Sequence, residues 1–268
     1  MNIRFVIKGL LLAIPLAILI TAGWVLVRTG FARIPDPTPP PPTLLAPQGE
    51  MPIGTGGLQE WAQYRGEPYR PVGSGFFLLL GSGEVAGVTT AHCVSIGDPN
   101  HPLERIALGV AGHPELRWEF ATLRGLPGNA VGPDDLSADY LLLKVDLPVP
   151  KDLLLVPDPR GAPQPGERVT LYSGLGNGNG GLRALEGTVQ SVDDRAFWVL
   201  MDQWFNPAQM SGSPIVSQHT GQAVGMVVVG SPRLGRFLLG AHPIGSLVGL
   251  ARSATDFPSI REISTESR

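Results

Sequence analysis

Cysteine is nearly missing from this chain. Cys93 is the only one among 268 residues. No internal disulfide can form, so the fold must stand on its apolar core. Cys93 itself reads as a buried small hydrophobe rather than a catalytic thiol, because a better nucleophile lies elsewhere. Charge is also sparse. Charged residues make up 16% of the chain and the net charge is −3 at pH 7. That leaves no basic excess to hold nucleic acid phosphates. Metal signatures are absent as well. His101, His113, His219 and His242 are scattered and no H-E-x-x-H occurs. No metal or other cofactor is implied.

Glycine and proline are abundant, at 35 and 27 residues. They follow no three-residue period, which excludes collagen. Turn residues placed between short apolar runs point instead to an all-β domain. The length suits one domain of about 200 residues with an appendage.

The appendage is at the amino end. From Gly9 to Val27 the chain carries no charge. As a helix that run would be about 28 Å long, enough to cross the hydrocarbon core. It is long for a cleaved signal peptide, and no A-x-A-like site follows it. Residues 1–33 are therefore expected to be an uncleaved transmembrane signal anchor; if the segment is cleaved, the protein is secreted. Arg4 and Lys8 favour an inside amino terminus, with Arg28 and Arg33 on the far side opposing it. That orientation puts the rest of the chain outside the cytoplasm, periplasmic or extracellular. Residues 34–57 are Pro-rich and read as an extended stalk.

From about Leu58 the pattern changes. Phe76 to Leu80, then Gly81-Ser82-Gly83, then Val85 to Thr90 reads as a β-hairpin. Tyr140 to Val145 is a further strand. Residues 146–165 hold too many prolines for a central strand. They divide a first strand-rich half, 58–145, from a second, 166–245. Strands are expected near 168–172, 187–192, 197–201, 214–217, 223–230 and 236–244, with a short helix over 246–252. Two β-rich halves suggest two packed six-stranded barrels with a cleft between them. Residues 253–268 read as a polar tail. Gly176 to Gly181 fits G-x-G-x-x-G, but a strand pattern follows where a dinucleotide site needs a helix. A surface loop is the better reading.

Acyl transfer to serine needs a hydroxyl, a base and a carboxylate that orients the base. Ser211 lies in Gln209-Met210-Ser211-Gly212-Ser213-Pro214, a tight turn leading into an apolar strand. His92 follows Thr89-Thr90-Ala91 at a strand end, and Asp139 precedes the apolar run from Tyr140. Taken singly, each has a plain reading as a loop serine, a structural histidine and a capping aspartate.

Together these segments resemble the trypsin/chymotrypsin superfamily of serine proteases. They are nearest to its bacterial branches, the periplasmic high-temperature-requirement proteases and the glutamyl endopeptidases. Thr90-Ala91-His92-Cys93 is similar to the histidine motif, Asp139 with its strand to D-x-A-L-L, and Ser211-Gly212-Ser213-Pro214 to S-G-[GS]-P. Gly73-Ser74-Gly75-Phe76 resembles the strand entering the first barrel. Ser173 to Gly176 and Glu186 to Val189 resemble a hairpin of the second. Val224-Gly225-Met226-Val227 resembles the strand after the nucleophile. The likeness covers about residues 72–252.

The resemblance implies an endopeptidase with Ser211 as nucleophile, His92 as base and Asp139 as its orienting acid. The backbone N–H groups of Gln209 and Ser211 would form the oxyanion hole. Val228, Val229 and Gly230 would pair with a polypeptide substrate as an added strand, and Phe205 would lie at the base of the specificity pocket. With no acid there, cleavage after Lys or Arg is not expected. The family has glycine where this chain has Gln209, and a Cβ there works against turning the N–H into the hole. The competing reading is a catalytically weak module of the same fold that binds peptides or a protein partner. Oligomeric state is left open.

Overall fold

The structure, a computed structural model, describes residues 56–265 apart from 82, 114, 131–134, 176–182 and 234. The expected anchor, the stalk to residue 55 and the Gly176–Gly181 loop lie outside the described residues. Among the described residues, no helix is long and apolar enough to cross a membrane.

The first half builds β1 (Leu58–Tyr64), β2 (Arg70–Leu79), β3 (Val85–Thr89), β4 (Leu103–Gly109), β5 (Arg117–Phe120) and β6 (Leu141–Lys144). They pair in the order β5-β4-β1-β2-β3-β6. Past β5, Leu123 bridges to Leu143, which curls this sheet into a half-barrel. The second half builds β8 (Arg168–Ser173), β9 (Arg183–Val192), β10 (Phe197–Met201), β11 (Pro214–Ser217), β12 (Ala223–Arg233) and β13 (Arg236–Pro243). These close a six-stranded barrel in the order β10-β13-β12-β11-β8-β9. Of the two expected barrels, the second is closed and the first is a curled sheet.

The Pro-rich connection carries one strand after all, β7 (Leu154–Leu155), parallel to β2 and off the main path of the sheet. Prolines limit it to two residues. Arg160 pins the connection to the second barrel, with ion pairs of 2.6 Å to Asp158 and 2.9 Å to Glu167.

Several strands are apolar at every position because both faces are buried. Phe77 faces the core of the first sheet, while its neighbours Phe76 and Leu78 face a layer between the two halves. Leu141 and Leu143 divide from Leu142 in the same way. A strand's side chains alternate between faces, so one run serves two cores. The middle layer also takes Ile244, Leu247 and Ala251 of α1 (Ile244–Ser253).

The polar tail proves partly ordered. Helix α2 (Ile260–Thr265) buries Ile260 and Ile263 in the first core. The Leu103 N–H donates to Ser264 Oγ at 2.7 Å. Two isoleucines four positions or fewer apart are too short a pattern to announce this docking.

Candidate active site

Strand pairing explains why His92 and Asp139 meet. β3 and β6 run antiparallel with Thr89 opposite Leu141. The chain just after β3 therefore lies beside the chain just before β6. Each forms a single 3-10 turn there, Ala91–Cys93 and Leu136–Ala138. Asp139 is fully buried, and its Oδ1 accepts the N–H of Ala91 at 2.7 Å and of His92 at 3.1 Å. Its Oδ2 lies 2.6 Å from His92 Nδ1. Two backbone donors on one oxygen fix which way the carboxyl faces, and the other oxygen meets the imidazole.

Ser211 comes from the second barrel, in the loop between β10 and β11. It is clipped to the first half, since the Ser74 N–H of β2 donates to its carbonyl at 2.9 Å. The sulfur of Cys93, next to His92 in sequence, lies 4.0 Å from the same carbonyl. The Ser211 hydroxyl donates to the Val228 carbonyl at 3.3 Å rather than to the imidazole. Val228 is the extra residue of a β-bulge, since Val227 pairs with Ala241 and Val229 with Gly240. A bulge frees a carbonyl from the ladder.

Gln209 takes φ of 61°, the left-handed conformation that its Cβ disfavours. The Cβ of Gln209 therefore does not keep the backbone out of a positive φ at this position. The amides of Met210, Gly212 and Ser213 donate to Pro207, Val227 and Met210. Among the described residues, the N–H groups of Gln209 and Ser211 donate to no protein group. Gly212, at φ of 89°, has no alternative to glycine, because a Cβ there would sit 1.8 Å from the Ser74 carbonyl oxygen.

No protein-family model matches the sequence, and neither does any curated protein. Solved structures do match. Neuropsin, a serine protease of mouse brain, aligns at TM-score 0.52 and 16% identity over 78% of this chain and 98% of its own. A thermostable serine protease, AL20, from an extremophilic microorganism aligns at 0.52 and 11% over 75% and 98%. Human heparin binding protein aligns at 0.51 and 14% over 77% and 94%. The chain has the trypsin-like serine protease fold. At these identities the likeness carries the fold alone.

Within this trypsin-like fold, Phe205 is buried and packs 5.1 Å from the ring of Phe237. A Cβ on Gly230 would meet that same ring at 2.3 Å. Phe237, which sequence reading missed, therefore fills the space between Phe205 and Gly230. Val228 is buried, Val229 half-buried and Gly230 exposed. β11 accompanies β12 only to Met226, with last backbone bonds at Val227, whose N–H donates to Ser213 and whose carbonyl accepts from Gly212. Beyond that, among the described residues, the β11-side edge of β12 has no strand partner.

Cys93 is half-buried, less enclosed than expected. Burial pushes its thiol well up, away from the reactive thiolate, with the nearby Glu60 adding to the rise. Two buried titratable groups also escaped sequence reading. Glu60, on β1, stands with Cys93 Sγ over Gly73, where a Cβ would lie 2.6 Å from each. Burial pushes its carboxyl up to about 8. The Thr89 hydroxyl and the Cys93 thiol pull the other way, and Asp139 adds a small push. Neither carboxyl oxygen makes a hydrogen bond of normal geometry. His242, on β13, packs edge-on to Tyr140 at 6.0 Å, beside the backbone of Asp139. Burial pushes its imidazole down to about 4, against the pull of Asp135 and Asp139.

Proposed function

We propose that this chain is a serine endopeptidase tethered outside the cytoplasm by residues 1–33. The observation that carries the reading is the His92–Asp139 contact of 2.6 Å with its orientation fixed by two amides. It stands beside a serine loop that holds two N–H groups free.

In this reading Ser211 Oγ attacks the scissile carbonyl and loses its proton to His92 Nε2. The carbonyl oxygen takes the negative charge and is met by the N–H groups of Gln209 and Ser211. His92 then gives the proton to the leaving amine, whose C–N bond breaks. Water repeats the sequence on the acyl-serine and frees the acid. Asp139 keeps the Nδ1 proton in place and stabilises the imidazolium. The attack first requires the Ser211 hydroxyl to leave the Val228 carbonyl and turn toward Nε2. That carbonyl and the open edge of β12 at Val229 and Gly230 then pair with the substrate backbone. With Phe237 filling the space beside Gly230, small side chains are the expected choice at the cleaved position.

A second reading, a protein-binding module of low turnover, is favoured by the same Ser211–Val228 bond. A fluorophosphonate probe separates the two. The full chain in detergent should label, and the Ser211→Ala variant should not. An unlabelled but folded wild type would leave only the binding module. The anchor has its own check, because membranes washed at alkaline pH should retain the chain. Release into the wash would replace the anchor with a cleaved leader.

A further inference from the structure

The Gly73-Ser74-Gly75 stretch of β2 has room for only one side chain. A Cβ at Gly73 would meet Glu60 and Cys93 at 2.6 Å, and one at Gly75 would meet Leu108 at 2.6 Å and the Val88 carbonyl at 2.7 Å. Ser74, fully buried between them, spends its hydroxyl on the carbonyl of Gln209 at 2.9 Å. Its N–H holds the Ser211 carbonyl at 2.9 Å, and its own carbonyl is held by the Thr89 hydroxyl at 2.8 Å. One residue of the first half thus grips the serine loop at two points that straddle Met210. Gln209 is the only non-glycine residue with positive φ among the described residues. A conformation that the side chain opposes persists only where its surroundings over-determine it. The Gln209 amide Nε2, 3.4 Å from the Pro71 carbonyl, adds a weaker tie to the same strand.

We propose that Ser74 is a positioning residue that holds Gln209 in its left-handed conformation and so keeps the Gln209 N–H open to the substrate oxygen. The proposal rests on the protease reading for its purpose but not for its geometry. With the Gln209 and Ser211 carbonyls both turned onto Ser74, the peptides carrying them, on either side of Met210, are fixed, and Ser74 acts on the Gln209 N–H through the backbone dihedrals of Gln209. A glycine at 209 would hold that shape with less help, which makes the clamp the counterpart of the departure from the family pattern.

The test uses the full chain, its Ser74→Ala variant, and Ser74→Ala combined with Gln209→Gly. Fluorophosphonate labelling of Ser74→Ala should be about tenfold slower, the scale of one lost buried hydrogen bond. Adding Gln209→Gly should restore most of the rate, which a merely structural serine would not allow. Wild-type labelling by Ser74→Ala, or no recovery in the double variant, would overturn the proposal. Amide exchange gives a reading independent of activity. The Met210 and Gly212 amides of Ser74→Ala should exchange about tenfold faster, with β12 and β13 unchanged. If the wild type fails to label, the protease reading falls and exchange alone decides the clamp. Unchanged exchange at Met210 and Gly212 would then dispose of it.

Discussion

With asparagine in place of Asp139, turnover is expected to fall about 10⁴-fold, while the melting temperature changes little. The argument lies in the two oxygens. Oδ1 accepts from the N–H groups of Ala91 and His92, so an asparagine must place its oxygen there. Its NH₂ then faces His92 Nδ1 across the 2.6 Å contact. A donor facing Nδ1 drives the ring proton to Nε2, the atom that must receive the serine proton. The side chain keeps its volume and its two backbone bonds, so the buried site stays filled. Cleavage of a peptide library, followed beside thermal melts, checks both parts. Turnover within tenfold of wild type in a folded variant would remove Asp139 from the mechanism and the acyl-transfer scheme with it.

His92, Asp139 and Ser211 stood out in the sequence because each sits at a boundary where pattern changes. His92 ends an apolar hairpin, Asp139 begins an apolar strand, and Ser211 stands beside Gly212 in a tight turn before another. Strand positions were legible for the same reason: β10 and β11 fall where the apolar runs fall. What the sequence could not carry was which face of a strand turns inward. In β1, Leu58, Glu60, Ala62 and Tyr64 alternate with Gln59, Trp61 and Gln63, so either choice of inner face sets a polar side chain, an acid or two glutamines, against the core. The fold buries the face with the acid. His242 hides in an apolar strand buried at nearly every position, which gives no contrast for a histidine. Phe237 and Ser74 act through contacts between elements far apart in the chain. The motif Gly73-Ser74-Gly75-Phe76 marks a strand, but no local pattern reports these contacts.

Glu60 makes the stability of the first half strongly pH-dependent. Its carboxyl stands near 8 in the fold against an ordinary value of 4.5. The raised value means that the folded state holds a proton which the unfolded state releases. Stability from this group is therefore complete below about pH 4.5 and is lost as the pH rises toward 8. Each unit of difference is worth about 1.4 kcal/mol, so the whole loss is on the order of 5 kcal/mol, a large share of the 5–15 kcal/mol typical of a domain. The groups that face the carboxyl are the Cys93 thiol, the Thr89 hydroxyl and Asp139. None supplies a positive charge to hold it ionised. Replacing it by glutamine keeps the shape and removes the titration. Urea unfolding of wild type and Glu60→Gln should give comparable stabilities at pH 5, and at pH 8.5 the variant should be the more stable by several kcal/mol. His242 acts with the opposite sign, since its lowered value costs stability as the pH falls from 6.5 toward 4. The two buried groups together confine the fold's best range to mildly acid conditions. Parallel pH curves for wild type and Glu60→Gln would mean that the Glu60 carboxyl reaches water or a cation in the folded state, and the buried cluster behind the serine loop would have to be redrawn.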